Sequence, residues 1–293
     1  MSKIHLAGIV PVAGLQSDFD LKTPPVLLPV NTGFTAIQKS VFECAMAGCN
    51  TIWIVANDDL APLVRTVVGE WVYDPVYYQR PSKFSSEERK EIPIYYVPIH
   101  PKDRDRRDSY GWSVLYGAYS AWKVAFKISQ WITPDKYYVS FPMAAYDIYR
   151  IRDYRKEIKH KENNFFLTHD GKSVKDNKPL AFTFTGEDFK QCRRSVNQLT
   201  TREYLPPSPG QQYPSQKRPK NQRWSGRHFK FQTIFQKVRE KNAATVPLDW
   251  YYNISCWSGY RDFLASDFSI EKPLEALTKA HQHVKIPYRE SDL

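Results

Sequence analysis

Arg104, Arg106 and Arg107 sit in the charge-alternating stretch His100-Pro101-Lys102-Asp103-Arg104-Asp105-Arg106-Arg107-Asp108. Planar guanidinium groups there could take a phosphate bidentately, or pair with the intervening carboxylates as a solvated loop. A second cationic group lies between residues 203 and 228, where Lys217, Arg218, Lys220, Arg223 and Arg227 are interleaved with Tyr213 and Trp224. Pro206, Pro207, Pro209, Pro214 and Pro219 fall in the same stretch. Proline at that density prevents a regular helix or strand pairing, which predicts an extended, Pro-rich basic insertion. Basic and aromatic side chains mixed in this way suit stacking and phosphate contact with single-stranded nucleic acid. They equally suit an arm that gains order on a neighbouring protein, or a solvated loop.

Other reactive residue types are not arranged for chemistry. His5, His100, His160, His169 and His228 are scattered, and His281 and His283, two apart on an expected C-terminal helix, would not share a face. Cys44, Cys49, Cys192 and Cys256 show neither metal-knuckle spacing nor the density of a disulfide framework, and read as buried reduced thiols in a cytoplasmic protein. No Gly-x-Ser-x-Gly elbow marks a serine nucleophile.

The chain that must position these groups has 293 residues, 42% of them hydrophobic, enough to bury a sizeable core in a single domain spanning residues 1–293. No apolar run reaches membrane-spanning length, and Met1-Ser2-Lys3-Ile4-His5 does not open a secretory signal, so no membrane partner is expected. A net charge of +11 favours polyanionic company: nucleotide, nucleic acid or an acidic protein surface. A homo-oligomer stays open.

Strand and helix patterns alternate. Ile9-Val10-Pro11-Val12 is a buried-strand run broken at Ala13-Gly14-Leu15. Phe34, Ile37, Val41 and Ala45 recur at helical spacing, with Gly48 placed to end that helix. Residues 51–56 read as a strand buried on both faces, and Asn57-Asp58-Asp59 as the cap of a helix carrying Leu60, Leu63, Val64 and Val67. Residues 92–97 read as a strand, Gly111 to about Trp131 as a long helix, and 136–141 as a further strand. The succession predicts an α/β fold with a mostly parallel, Rossmann-like sheet flanked by helices.

Three segments, in order, resemble those of the sugar-nucleotide pyrophosphorylases, the glucose-1-phosphate nucleotidyltransferase-like family. The opening strand and glycine loop lead to Leu27-Leu28-Pro29-Val30. Asp108 to Ala118, through Gly111 and Ser113, resembles the family's Leu-Gly-Thr-Ala segment, and Trp250 to Tyr260 its Trp-x-Asp-Ile-Gly-Thr-Pro-x-x-Tyr segment. The resemblance implies the nucleotide-diphospho-sugar transferase fold, in which Ala13, Gly14 and Leu15 cradle phosphate through backbone N–H groups, Gly111 admits the base and Ser113 completes the nucleotide-binding set. It implies transfer of a nucleotidyl group from a nucleoside triphosphate to a sugar phosphate with Mg2+.

The functional side chains of that family are replaced here. Its loop arginine and its lysine fall at about Asp18 and Pro25, and its two magnesium-binding aspartates at about Phe141-Pro142 and at Asn253. Lys22, Arg104, Arg106 and Arg107 are the cations that could stand in, and Asp147 with Asn253 the weak metal ligands. Two readings follow. One is a divergent nucleotidyltransferase whose catalysis is weakened. The other is a non-catalytic assembly protein needing no cofactor, for example a virion component, that docks on protein or nucleic acid through its basic arm.

Overall fold

The computed structural model describes residues 4–18, 21–78, 90–99, 109–128, 133–202, 204–225 and 228–273. Arg104, Arg106, Arg107, Arg227, His100, His281 and His283 lie outside them. In chain order the strands are β1 Leu6–Pro11, β2 Pro29–Asn31, β3 Phe34–Thr35, β4 Thr51–Ala56, β5 Trp71–Tyr73, β6 Glu91–Pro98, β7 Lys136–Val139, β8 Ala144–Ala145, β9 Phe165–Thr168, β10 Phe182–Thr185, β11 Ala244–Pro247 and β12 Tyr252–Asn253. The helices are α1 Ala36–Ala47, α2 Ala61–Val68, α3 Pro75–Tyr78, α4 Tyr110–Ile128, α5 Arg155–Ile158, α6 Gly186–Leu199, α7 Phe231–Phe235 and α8 Trp257–Ala265.

An eight-stranded sheet runs in the order β11-β9-β10-β7-β1-β4-β6-β5. Strands β7, β1, β4 and β6 are mutually parallel, and β5 and β10 join antiparallel at their two sides. β1 and β7 are buried along their whole lengths and β4 at all but its first residue, the state that a continuous Val/Ile-rich run requires when helices cover both faces. Neighbouring residues of β1 show this directly, since successive side chains point to opposite faces. A Cβ added to Gly8 would lie 2.9 Å from Cys44 Sγ of α1, whereas one added to Gly117 of α4 would lie 2.9 Å from Ile9 Cγ2. Helices α1 and α4 therefore press on opposite faces of the same strand, each where a glycine lets them approach.

Local signals set the helix ends. Thr35 and Gln38 form a reciprocal capping box at the start of α1, and Gly48 ends it in the left-handed region at φ 83°. The expected Asn57-Asp58-Asp59 cap is corrected: α2 starts from Leu60, whose N–H is taken by the Asp59 carboxylate and the Asn57 carbonyl, so these polar residues form a turn ahead of the helix. The strand expected over 136–141 stops at Val139, where Ser140 and Phe141 turn into the core.

The two ends of the described chain meet. The Tyr260 hydroxyl donates to Pro29 O at 3.0 Å, and Asn31 Nδ2 donates to Ile270 O at 2.8 Å. No helix among the described residues is long and apolar enough to cross a membrane.

Residues 204–225 are mostly exposed and carry a single 3-10 turn, Lys220–Gln222. The expected absence of strand pairing holds except for one antiparallel bridge, Tyr204 with Lys217, supported by the Leu205 N–H on Gln216 O. The excursion closes on Thr201, whose N–H donates to Trp224 O and whose hydroxyl accepts the Trp224 N–H.

Candidate nucleotide site

Strand order reverses at β1: the chain runs outward through β4 and β6 on one side, then returns to place β7 on the other. In open α/β sheets ligands bind beyond the carboxyl ends of the strands at such a point. A cavity of about 620 Å³ opens there. Gly14, Leu15 and Gln16 reach it from β1, Met143 from the turn after β7, Ser109, Tyr110 and Gly111 from the start of α4, and Asn253 and Ser255 from the end of β12. Gly14, Gly111 and Asn253, 239 residues apart at the extremes of sequence, share one wall.

Each wall is fixed from beneath. The amides of Val12 and Ala13 both donate to Val55 O at 2.9 Å, and Gly14 then turns in the left-handed region at φ 76°, a conformation that favours glycine. Ser113, expected to touch nucleotide, is instead buried and donates from Oγ to Ala13 O at 2.7 Å. Ser113 and Ala13 thus lie under the cavity as the tie between the glycine loop and α4, and only Gly14, Leu15 and Gly111 of the expected nucleotide-binding set line it. Gly111 has a second task. A Cβ there would meet Ile234 Cδ1 at 2.8 Å and Phe231 Cδ1 at 3.1 Å, so the missing side chain admits α7 against α4.

The turn after β7 hangs on a buried charged network. Lys39 Nζ donates to Phe141 O at 3.0 Å, to Ala144 O at 2.8 Å and to Glu43 Oε2 at 3.4 Å. Glu43 also accepts the hydroxyls of Tyr138, Ser140 and Tyr146, each at 2.7 Å. Both charged side chains are fully buried. Burial lowers the Lys39 pKa against the opposing pull of Glu43, and raises those of Tyr138 and Tyr146, where the Glu43 charge adds to the effect. Above this network Met143 O accepts the Ile254 N–H, joining the turn to β12.

The positions at which the resemblance puts that family's functional side chains all have structural roles here. Asp18 Oδ1 accepts the Trp257 N–H at 2.7 Å, the first turn of α8, whose N-cap residue Cys256 offers no side-chain bond of its own. Pro25 opens the 3-10 turn Pro25–Leu27. Phe141 is buried among Tyr110, Phe182 and Phe231, with ring centroids 5.3, 6.5 and 5.1 Å away. Asn253 Oδ1 accepts the Ser255 N–H at 3.2 Å and the Ser255 hydroxyl at 2.8 Å.

Of the expected stand-ins within the described residues, Asn253 lines the cavity and Lys22 and Asp147 do not. Lys22 is exposed and is not part of its lining, and Asp147 is exposed with Oδ1 on the Tyr149 N–H. No Asp or Glu lines the cavity among the described residues, and none of these forms a cluster of three or more His, Cys, Asp or Glu suited to a metal. A hard dication prefers carboxylate oxygens, and Asn253, already accepting twice, supplies no charge. The donor set present therefore does not fit the magnesium that the resemblance implied.

Among the described residues, the basic side chains that line the cavity are Lys230 and His228. They enter with Phe229 and Phe231 on the segment that follows the arm, beside Asn177, whose Oδ1 accepts the Gln232 N–H at 3.1 Å. Sequence reading placed His228 among the scattered histidines and left out Lys230. The signal available was weak: a His-x-Lys pair next to a short aromatic helix, remote in sequence from every other wall.

No protein-family model matches this sequence, and neither does any curated protein sequence. Solved structures do. A structure described as a glucose-1-phosphate thymidylyltransferase from Bacillus anthracis in complex with sucrose superposes with a TM-score of 0.54 at 12% identity, covering 91% of this chain and 98% of that one. UDP-glucose pyrophosphorylase with UDP-glucose covers 89% and 97% at 13% identity, TM-score 0.49, and a nucleoside-diphosphate-sugar pyrophosphorylase from Vibrio cholerae covers 88% and 100% at 13%, TM-score 0.48. The chain has the mixed α/β fold of the sugar-nucleotide transferases over most of its length. At this identity the likeness is one of fold.

Proposed function

We propose that the cavity binds a nucleotide, as a nucleoside triphosphate or a nucleotide-sugar, and that transfer of the nucleotidyl group to a sugar 1-phosphate is weakened or lost. The observation that carries this reading is the convergence of Gly14, Gly111 and Asn253 on one cavity at the reversal point of the sheet, with Lys230 and His228 in its lining and no carboxylate among its described lining residues. Backbone amides of the Gly14 turn and the N-terminal end of α4 favour phosphate. Lys230 supplies counter-charge, and Leu15, Phe229 and Phe231 supply apolar surface for a base or sugar face. Carboxylates that would hold a dication between phosphates and the attacking sugar phosphate are replaced by the buried Phe141 and the internally bonded Asn253. Binding is thereby retained while the electrostatic lowering of the transfer barrier is reduced.

Thermal unfolding with each nucleoside triphosphate and a set of nucleotide-sugars, with and without magnesium, tests this, since a ligand of the folded state raises Tm. The expected result is stabilisation by at least one nucleotide that does not require magnesium, together with slow or undetectable pyrophosphate exchange. Rapid magnesium-dependent exchange would overturn the loss of catalysis. No stabilisation by any nucleotide would overturn the binding.

A further inference from the structure

The net positive charge of the chain is matched by one stretch, the rest of the sequence being balanced. Between Phe189 and Arg239 there are 12 Lys and Arg and a single acid, Glu203, a net +11 that equals the excess of the whole 293-residue sequence. The stretch comprises nearly all of α6, the Pro-rich arm and α7. Across from α6 lies α4, and residues 109–128 contain no Asp or Glu at all. The two helices meet where the Arg193 guanidinium sits 4.5 Å from the centroid of the Tyr119 ring, with Lys123 Nζ 5.7 Å from the same ring.

From that junction an aromatic stripe runs along α4 in solvent. Tyr119 neighbours Trp122 at 6.2 Å, and Trp122 stacks on Phe126 at 5.5 Å with planes 20° apart. Trp122 and Phe126 are 41% and 49% exposed. Beside them α6 forms an open groove of about 410 Å³ lined by Lys190, Arg193, Arg194 and Asn197. The two acids of α6 stand at its start: Glu187, 4.0 Å from Lys190, and Asp188, which is buried and turned to Arg239, so neither lines the groove and its charge is strongly positive. The arm is rooted at the far end of the same helix, where Thr201 holds the 56% exposed Trp224.

We propose that the α4–α6 face is a binding surface for single-stranded nucleic acid. Exposed, nearly parallel rings offer π-faces on which unpaired bases stack, and the flanking Lys123, Lys127, Lys190 and Arg194 follow a phosphate backbone. A duplex hides its base faces and would engage only the cations. The surface is separate from the cavity at the carboxyl ends of the strands, and the proposal stands without the nucleotide reading.

Fluorescence anisotropy of a labelled oligothymidylate of about 20 nucleotides, titrated with the full chain, tests it. The expected result is binding that weakens with salt at a log–log slope of about −2 to −3, and quenching of tryptophan emission. Trp122→Ala should weaken binding about tenfold or more, and Lys190→Glu with Arg194→Glu by at least as much, while Lys161→Glu, outside the basic stretch, should not. Unchanged Tm shows that each variant folds. Failure of the wild type to bind, equal binding by all variants, or equal competition by duplex DNA or polyglutamate would each overturn the proposal. So would a dimer in sedimentation that Trp122→Ala dissociates while the oligonucleotide does not bind, because the face would then join copies of this chain.

Discussion

The Asp18 carboxylate accepts the backbone N–H of Trp257 at 2.7 Å, joining the loop after the first strand to the last described helix. A negative side chain at a helix N-terminus satisfies an orphan amide and complements the helix dipole. Asp18 is thus a helix cap, and its charge is directed at a backbone amide.

Asp18→Ala should therefore lower stability by about 1 kcal/mol, the usual cost of losing a side-chain helix cap. Urea denaturation should show a lower midpoint at unchanged slope. An unaltered midpoint would remove the capping account.

Gly111→Ala should be more costly than an ordinary helical glycine substitution, which stabilises when space allows. The new methyl would meet Ile234 and Phe231, and over-packing of this kind costs about 1–3 kcal/mol. Because Lys230 and Phe231 would shift with α7, nucleotide-dependent stabilisation should fall too. A variant at least as stable as wild type, with ligand response intact, would contradict the packing described.

Lys230→Ala should leave the unfolding midpoint of the free protein within about 0.5 kcal/mol of wild type, since the side chain is exposed. It should weaken nucleotide binding about tenfold, the scale of a charge-assisted hydrogen bond. Calorimetric titration decides, and unchanged affinity would remove Lys230 from the site.

Glu43→Gln and Lys39→Met should each be strongly destabilising, by about 3–5 kcal/mol, because each leaves a buried charge without its partner. The double variant Lys39→Met/Glu43→Leu should cost less than the sum of the two single variants. Additivity in a double-mutant cycle would show that the pair is not coupled.

Lys136 gives a pH signature. Its ammonium is buried and donates to the carbonyls of Ile158, His160 and Asn163, and burial lowers its pKa to about 7, with Asp188 opposing. Between about pH 7 and 10 the unfolded chain then holds a proton that the folded chain lacks, so stability rises with pH over that window. Wild type should gain on Lys136→Met as pH climbs from 7 to 9.5, as followed by urea midpoints. A pH-independent difference would place the Lys136 pKa near that of a free lysine.

Much of the scaffold was legible because its signals are local. The apolar run ending at Gly14, the helix closed by Gly48 and the two-sided strand 51–56 each announce themselves within a dozen residues. Gly111 and Asn253 were legible as members of a three-part frame. Lys230 and His228 were not, because they reach the cavity through a segment whose position depends on α7 packing against Gly111. The role of Asp18 was not legible for a related reason: the amide it serves lies far along the chain. Ser113 could be read as a ligand contact because sequence cannot say whether a hydroxyl near a helix start points outward or back into the core.

The closure of residues 250–270 onto the opening loop has a consequence for biosynthesis. As the polypeptide leaves the ribosome, Gly14 emerges early, but the amide that Asp18 caps, the hydroxyl that holds Pro29 and the carbonyl that holds Asn31 are translated more than two hundred residues later. A nascent chain stalled before Trp250 would carry the strands beneath the cavity without the clasp that shapes its mouth, so, on the proposed reading, nucleotide affinity should mark the moment at which synthesis passes α8.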